Sequence, residues 1–296
     1  MTAADFDAWA RQQTAEVEAA LERWVPLDAP AGLGQAMRYG VLDGGKRLRP
    51  LLVLAATQAV GGTPAVALRA AVAVELIHAY SLVHDDMPCM DNDVLRRGKP
   101  TVHVQYGQAQ AMLAGDAMQA LAFEVLTPAE GVEPALQARL TGLLARAAGH
   151  AGMAGGQAID LASIGRRLDE NALRDMHRRK TGALLQASVL MGAACGPCDA
   201  AAWAALTGYG AAVGLAFQVV DDILDVTQDS EVLGKTAGKD HHHNKPTYVS
   251  VLGLAAARRH AQELREQALA ALARSGLGGA ASLLGVLADK IVERDN

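Results

Sequence analysis

Ala200-Ala-Ala-Trp-Ala-Ala-Leu-Thr-Gly-Tyr-Gly-Ala-Ala-Val-Gly-Leu-Ala-Phe-Gln-Val-Val220 carries no charge over 21 residues. A run of that length and polarity can cross a bilayer or form the central helix of a soluble core, and the choice decides the fold. Ala and Gly dominate it, Thr207 and Gln218 are polar, and it runs without a break into Asp221 and Asp222. These features favour the buried helix of a large all-α core. The composition agrees: 51% of residues are hydrophobic but only 4% aromatic, so the core is made of Ala, Leu, Val and Met. Those residues suit closely packed helices better than sheets. No strand alternation or hairpin signal appears, and no flexible linker divides the chain, so one domain over residues 1–296 is expected.

The periodicity predicts helices from Phe6 to Val25, from Gly34 to Leu42, from Leu51 to Val60 behind Pro50, and from Pro64 to His84. Further helices are predicted from Gln108 to Leu126 and from Pro134 to Ala151, followed by a Gly-rich stretch, Gly152 to Gly156, leading to Gln157 and Asp160. The residues Met1–Ala15 lack the apolar run of a secretory signal. A net charge of −5 gives no reason to expect nucleic acid or an anionic membrane as partner. Three cysteines give no disulfide framework, which points to a reducing cytoplasm. Cys195-Gly-Pro-Cys198 spells a redox motif, but no strand precedes it, so a turn between helices is expected.

Two acidic clusters follow long apolar helices. The first ends the Pro64–His84 run: Asp85-Asp86-Met-Pro-Cys-Met-Asp91-Asn-Asp93, then Arg96, Arg97 and Lys99. Asp85 and Asp91 are six apart, out of phase on an ideal helix, but Pro88 must end or bulge the helix between them and so can return Asp91 to Asp85. His78, two turns before Asp85, lies on nearly the same face. The second cluster, Gln218-Val-Val-Asp221-Asp222-Ile-Leu-Asp225, has steps of three, four and seven that put its polar residues on one stripe. Clustered carboxylates repel one another unless a cation neutralises them, and all-oxygen ligands favour magnesium, whose shell substrate phosphates complete. Opposed acidic walls of one cavity are expected.

Cations accompany them. Gly44-Gly45-Lys46-Arg47-Leu-Arg49 places two glycines and a basic cluster before a helix N-terminus, a plausible anion site without P-loop spacing. Lys180-Thr181-Gly182 opens another apolar helix, and Lys235, Lys239 and Lys245 lie in a loop with His241, His242 and His243. Three consecutive histidines rarely converge on one ion, so these read as a polar loop.

With these motifs placed in order, the chain resembles the trans-prenyltransferases over about residues 35–290. Asp85 to Asp91 and Asp221 to Asp225 are similar to the family's two aspartate-rich motifs, and Gly44-Gly-Lys-Arg-Leu-Arg-Pro50 to its isopentenyl diphosphate motif. Lys180-Thr181 and Lys245-Pro-Thr-Tyr248 match further segments. The four-residue spacer of the first motif resembles bacterial farnesyl and plant geranylgeranyl diphosphate synthases. The resemblance implies the isoprenoid synthase fold, antiparallel helices around a deep central cavity, usually homodimeric and using three Mg2+ ions. It implies a catalytic set of Asp85, Asp86, Asp91, Lys180, Asp221, Asp222 and Asp225, with Asp85, Asp91 and Asp221 as direct metal ligands. By the same carry-over Arg96, Lys180, Thr181, Gln218, Lys235 and Lys245 hold the allylic diphosphate or its metals, and Lys46, Arg49, His78 and Arg97 bind isopentenyl diphosphate. Tyr80 and Ser81, five and four positions before the first aspartate, take the places that set product length.

The implied reaction ionises dimethylallyl or geranyl diphosphate, alkylates isopentenyl diphosphate and loses a proton to the departing pyrophosphate. Bulky Tyr80 favours a fifteen-carbon farnesyl product, with the twenty-carbon geranylgeranyl product as the near rival. A terpene cyclase typically lacks the Gly44–Pro50 motif. A non-catalytic subunit of a prenyltransferase tends to lose aspartates that are intact here. A helical hydrolase would need histidines interleaved with the aspartates.

Overall fold

A computed structural model describes residues 2–42, 44–166, 168–227 and 246–294, and these are helical almost throughout. Helix α1 (Ala3–Trp24) opens on a capping box in which Thr2 and Asp5 satisfy each other's backbone N–H groups. Helices α2 (Leu33–Val41), α3 (Leu48–Ala59) and α4 (Pro64–Asp85) follow, the last with Pro64 at its first turn, where the missing N–H costs nothing. After a two-residue antiparallel ladder, β1 (Leu95–Arg96) with β2 (Lys99–Pro100), come α5 (Val102–Tyr106), α6 (Gln108–Leu126) and α7 (Pro134–Ala148). Helices α8 (Met153–Ala162) and α9 (Glu170–His177) lead through a π-helical turn, Arg178–Gly182, into α10 (Ala183–Ala194) and α11 (Ala200–Thr227). The described residues close with α12 (Tyr248–Leu252), α13 (Leu254–Ala273) and α14 (Ser282–Val292).

Two apolar clusters form the core. One surrounds α4, which is apolar on all sides, and draws in α2, α6 and α7; the other surrounds α11 with α13 and α14. Helix α3 joins them, turning Val53 and Leu54 to the first and Leu51, Leu52, Ala55 and Ala56 to the second. Both runs long and apolar enough to cross a membrane, Pro64–Asp85 and Ala200–Thr227, are thus core helices, with 72% and 50% of their most apolar windows buried inside the protein. With so few aromatics, the packing depends on close backbone approach. A Cβ on Gly214 would lie 2.8 Å from Gly182 Cα, and one on Gly210 would lie 3.0 Å from Gln186 Cα, so α10 and α11 run antiparallel at near contact.

Two elements go beyond the sequence reading. The Gly-rich stretch Gly152–Gly156 starts a helix, α8, and a Cβ on Gly156 would fall 2.1 Å from Lys180 N, so glycine is there to let α8 press on the π-turn. The basic segment after the first acidic cluster forms a hairpin that no alternation announced. Its turn residues Arg97 and Gly98 both have positive φ (53° and 74°), as a tight two-residue hairpin turn requires. Cys195–Cys198 lies between α10 and α11 as a turn, and all three cysteines are free thiols.

Candidate active site

Helix α4 stops at Asp85, and the chain folds back over its own end. Asp91 N–H donates to Asp85 O at 2.8 Å, Asn92 N–H to Met87 O at 3.1 Å, and Asp93 N–H to Asp86 O at 3.0 Å. The Pro88 irregularity therefore returns Asp91 to Asp85. Burial pushes the Asp85 carboxyl up to about 6, against the attraction of Lys180 and with a further push from Asp91. A half-buried carboxylate made reluctant to ionise by its surroundings and by a second carboxylate fits a hard cation. The hairpin then lays Arg96 on Asp86, with Nη2–Oδ1 at 2.6 Å and Nε–Oδ2 at 2.8 Å. Asp86 thus orients Arg96 beside the cluster.

The second acidic cluster ends α11, where adjacent residues point about 100° apart. The stripe read from spacing therefore divides. Asp221 lies 3.5 Å from Arg294 Nη2 on one flank. Asp222, buried on the other, accepts from Tyr248 N–H (2.7 Å) and Gln218 Nε2 (2.8 Å) and faces His177 Nε2 at 3.9 Å. Asp225 is buried one turn on. Gln218 also accepts from Thr181 Oγ1 at 2.8 Å, and Lys180 Nζ pairs with Asp160 at 2.5 Å, so the π-turn ties Thr181 to α11 and Lys180 to α8. Among the described residues no three carboxylate, imidazole or thiolate side chains gather closely enough to cage an ion. Each wall offers one or two oxygen donors, the arrangement expected where phosphate oxygens complete a magnesium shell.

A cleft of about 590 Å³ lies beside these walls, bounded by the Gly44–Arg49 loop, α4, the hairpin and α14. Lys46, Arg49 and Arg97 face it with Lys290 and Arg294, and Glu75 is its one acidic lining residue among those described. Burial lowers Lys46, with Arg294 adding to the effect, and lowers Arg49 to about 10. Arg49 Nε has no hydrogen-bond partner. Burial, with Arg49 next, drives His78 well below its ordinary value, so it enters the cleft as a neutral imidazole. Arg97 Nη1 donates to Gly44 O at 2.7 Å, and a Cβ on Gly45 would fall 2.7 Å from Arg97 Nη2. The glycine pair thus leaves room for Arg97.

Arg49 and His78 also line a second cavity of about 390 Å³, which runs along α4 past Asp85, Ser81 and Tyr80 and is closed by α8. The Tyr80 ring meets His84 edge-on at 5.8 Å, and its hydroxyl accepts from Gln119 Nε2 at 3.4 Å. Ser81 Oγ donates back to His78 O at 2.8 Å and adds no bulk. His84 packs so closely on α6 that a Cβ on Gly115 would fall 2.0 Å from its Nε2.

Several residues that line or support the cavities were given no role in the sequence reading. Gln157 is buried in the wall of the second cavity with both amide atoms unpartnered, and Asp160, one turn on, holds Lys180. Their i, i+3 spacing after a glycine pair was the available signal. Glu75, Lys290 and Arg294 carried none, because only tertiary packing brings them to the cleft. Lys235, Lys239, Lys245 and His241–His243 lie outside the described residues.

The helical bundle and its paired acidic walls define a class, and comparison with known proteins gives it a name. Residues 30–275 match the polyprenyl synthetase family, to which the chain belongs. It is 43% identical over 299 residues to a farnesyl diphosphate synthase of Geobacillus stearothermophilus, with all of both chains covered. It is 45% identical over 294 residues to a chloroplastic geranylgeranyl pyrophosphate synthase of Catharanthus roseus, covering 99% of this chain and 82% of that one. Its fold matches an FPP/GFPP synthase of Zymomonas mobilis with a TM-score of 0.88 at 40% identity, covering 98% and 100% of the two chains. A Helicobacter pylori geranyltransferase crystallised with magnesium and isoprenyl diphosphate gives 0.84 at 35% identity, covering 96% and 95%. The chain is a trans-prenyltransferase.

Proposed function

We propose that this prenyltransferase condenses isopentenyl diphosphate with dimethylallyl and then geranyl diphosphate, releasing farnesyl diphosphate. Tyr80 carries the reading on product length. Held by His84 and Gln119, it stands in the cavity wall five residues, about 7.5 Å, up α4 from Asp85. A chain growing away from the acidic walls meets that ring. Two observations favour a twenty-carbon product instead: Ser81 leaves space beside Tyr80, and geranylgeranyl synthases stand among the similar proteins. Tyr80→Ala decides between floor and bystander: chromatography of its products shows lengthening if Tyr80 is the floor and an unchanged distribution if it is not.

Asp85, Asp91 and Asp221 would hold Mg2+, three ions by family analogy, with Asp86 and Asp225 assisting. When bound, the metal neutralises the diphosphate leaving group of the allylic substrate. Lys180, Thr181, Gln218 and Arg96 fix that diphosphate from the side, preorganised by Asp160, by one another and by Asp86. Breaking the allylic C–O bond leaves a carbocation, and the apolar faces of α4 and α8 exclude water from it. Lys46, Arg49, Arg97 and neutral His78 hold isopentenyl diphosphate so that its double bond faces the cation through the Arg49–His78 boundary between the cavities. The new C–C bond forms, and the proton shed from the adjacent carbon goes to the pyrophosphate just released. Lys235 and Lys245 belong to the same proposal as contacts to the allylic diphosphate. Exposed Met112 and Leu113 on α6 offer an apolar face for a homodimer, which size-exclusion chromatography with light scattering tests.

A further inference from the structure

We infer that Arg47 is a positioning residue for the acceptor diphosphate: it holds the loop that aims Lys46 and Arg49, and it does so without contacting substrate. The inference rests on the reading of the 590 Å³ cleft as the acceptor site.

Arg47 stands between two cations assigned to the substrate, yet its own guanidinium is already engaged. Nε donates to Glu18 at 2.6 Å, Nη1 to Glu75 at 2.5 Å and Nη2 to Val41 O at 2.6 Å. Its side chain is 1% exposed, against 33% for Glu18 and 4% for Glu75. Arg47 borders the cleft, but three of its five N–H donors are taken and its side chain is 1% exposed, so a diphosphate could reach the other two only by displacing the packing around the guanidinium.

The backbone shows what the network maintains. Arg47 has φ 48° and ψ 33°, a left-handed conformation unfavourable for a side chain with a Cβ, and it is the residue from which α3 starts: its carbonyl accepts the Leu51 N–H at 3.0 Å. Strain of this kind persists only where the surroundings over-determine it, and three acceptors from α1, α2 and α4 do so here. The turn separates Lys46, before it, from Arg49, after it, and presents both to the cleft. Glu75 acts on both sides: it binds Arg47 and favours the charged form of Arg49, whose Nε has no hydrogen-bond partner. One buried carboxylate thus fixes the loop through one arginine and supports the charge of the next.

A point charge cannot replace this arrangement, because three acceptors in different directions need the planar fork. Arg47→Lys, and the paired apolar replacement Arg47→Met with Glu75→Leu, which removes the buried ion pair and leaves only Glu18, 33% exposed to solvent, without its arginine, separate the alternatives. In steady-state assays both variants should raise KM for isopentenyl diphosphate about tenfold or more, while KM for dimethylallyl diphosphate and kcat stay within about twofold. Thermal unfolding of the paired variant confirms that it is folded, and it decides the matter if Arg47→Lys does not fold. Wild-type KM for isopentenyl diphosphate in Arg47→Lys would show that charge rather than geometry matters and would overturn the inference. A parallel rise of both KM values would overturn it too, by showing a general structural role. A wild-type protein with no saturable dependence on isopentenyl diphosphate would overturn the site reading and this inference together.

Discussion

Asp221 and Asp222 are neighbours with different surroundings. Asp221 faces Arg294 at the cleft, whereas Asp222 is turned inward and tied to Tyr248 and Gln218. Asp221→Asn should therefore raise the Mg2+ concentration needed for half-maximal activity with little change in melting temperature. Asp222→Asn removes a charged acceptor from a buried backbone N–H and should lower stability by about 1–3 kcal/mol, read as a fall in melting temperature. Asp85→Ala should lower kcat by a factor of about 100 or more if Asp85 holds the metal where charge develops, as proposed; near-normal turnover would remove the metal-ligand proposal. At this scale the sequence was legible wherever residue type and local spacing suffice, as for Asp85 with Asp91 across Pro88. It was not legible where neighbours along a helix face different partners, because a stripe drawn from spacing does not say which flank meets the cavity.

Among the elements, the π-turn Arg178–Gly182 gathers the most function. It delivers Lys180 and Thr181, receives α8 at Gly156 and follows His177. His177 is buried, stacks on Tyr248 at 5.5 Å, and has no hydrogen-bond partner at either ring nitrogen. Burial lowers it to about 4, with Lys180 contributing. The unfolded chain takes up this proton near pH 6.5 and the native protein only near 4, so the contribution is intact above about 6.5 and is lost as pH falls through that window, by about 3 kcal/mol in all. The urea midpoint of wild type should fall relative to that of His177→Phe as pH falls from 7 to 4.5; parallel curves would contradict this. Gly156→Ala, which puts a methyl group against Lys180 N, should cost about 1–3 kcal/mol and lower activity with it. Most helices were readable from periodicity, α6 to the residue, because apolar spacing and its terminating Thr127-Pro128 are local. Helix α8 was hidden because glycine reads as a breaker until the opposing backbone is seen.

For the whole molecule, the uncharged Ala200–Val220 run proves to be the spine of one half of the core, and α4 the spine of the other. Each ends at an acidic wall, so the two helices that decide the fold also place the chemistry. The ordered motifs made that plan readable in advance. What they did not reveal is the long-range closure of the cleft by Glu75, Lys290 and Arg294, contributions with no local pattern. The most direct test of the account is incubation of the purified protein with dimethylallyl diphosphate, radiolabelled isopentenyl diphosphate and Mg2+, followed by chromatographic sizing of the products. The account predicts label in a fifteen-carbon prenyl diphosphate; label remaining in five-carbon isopentenyl diphosphate alone would contradict it.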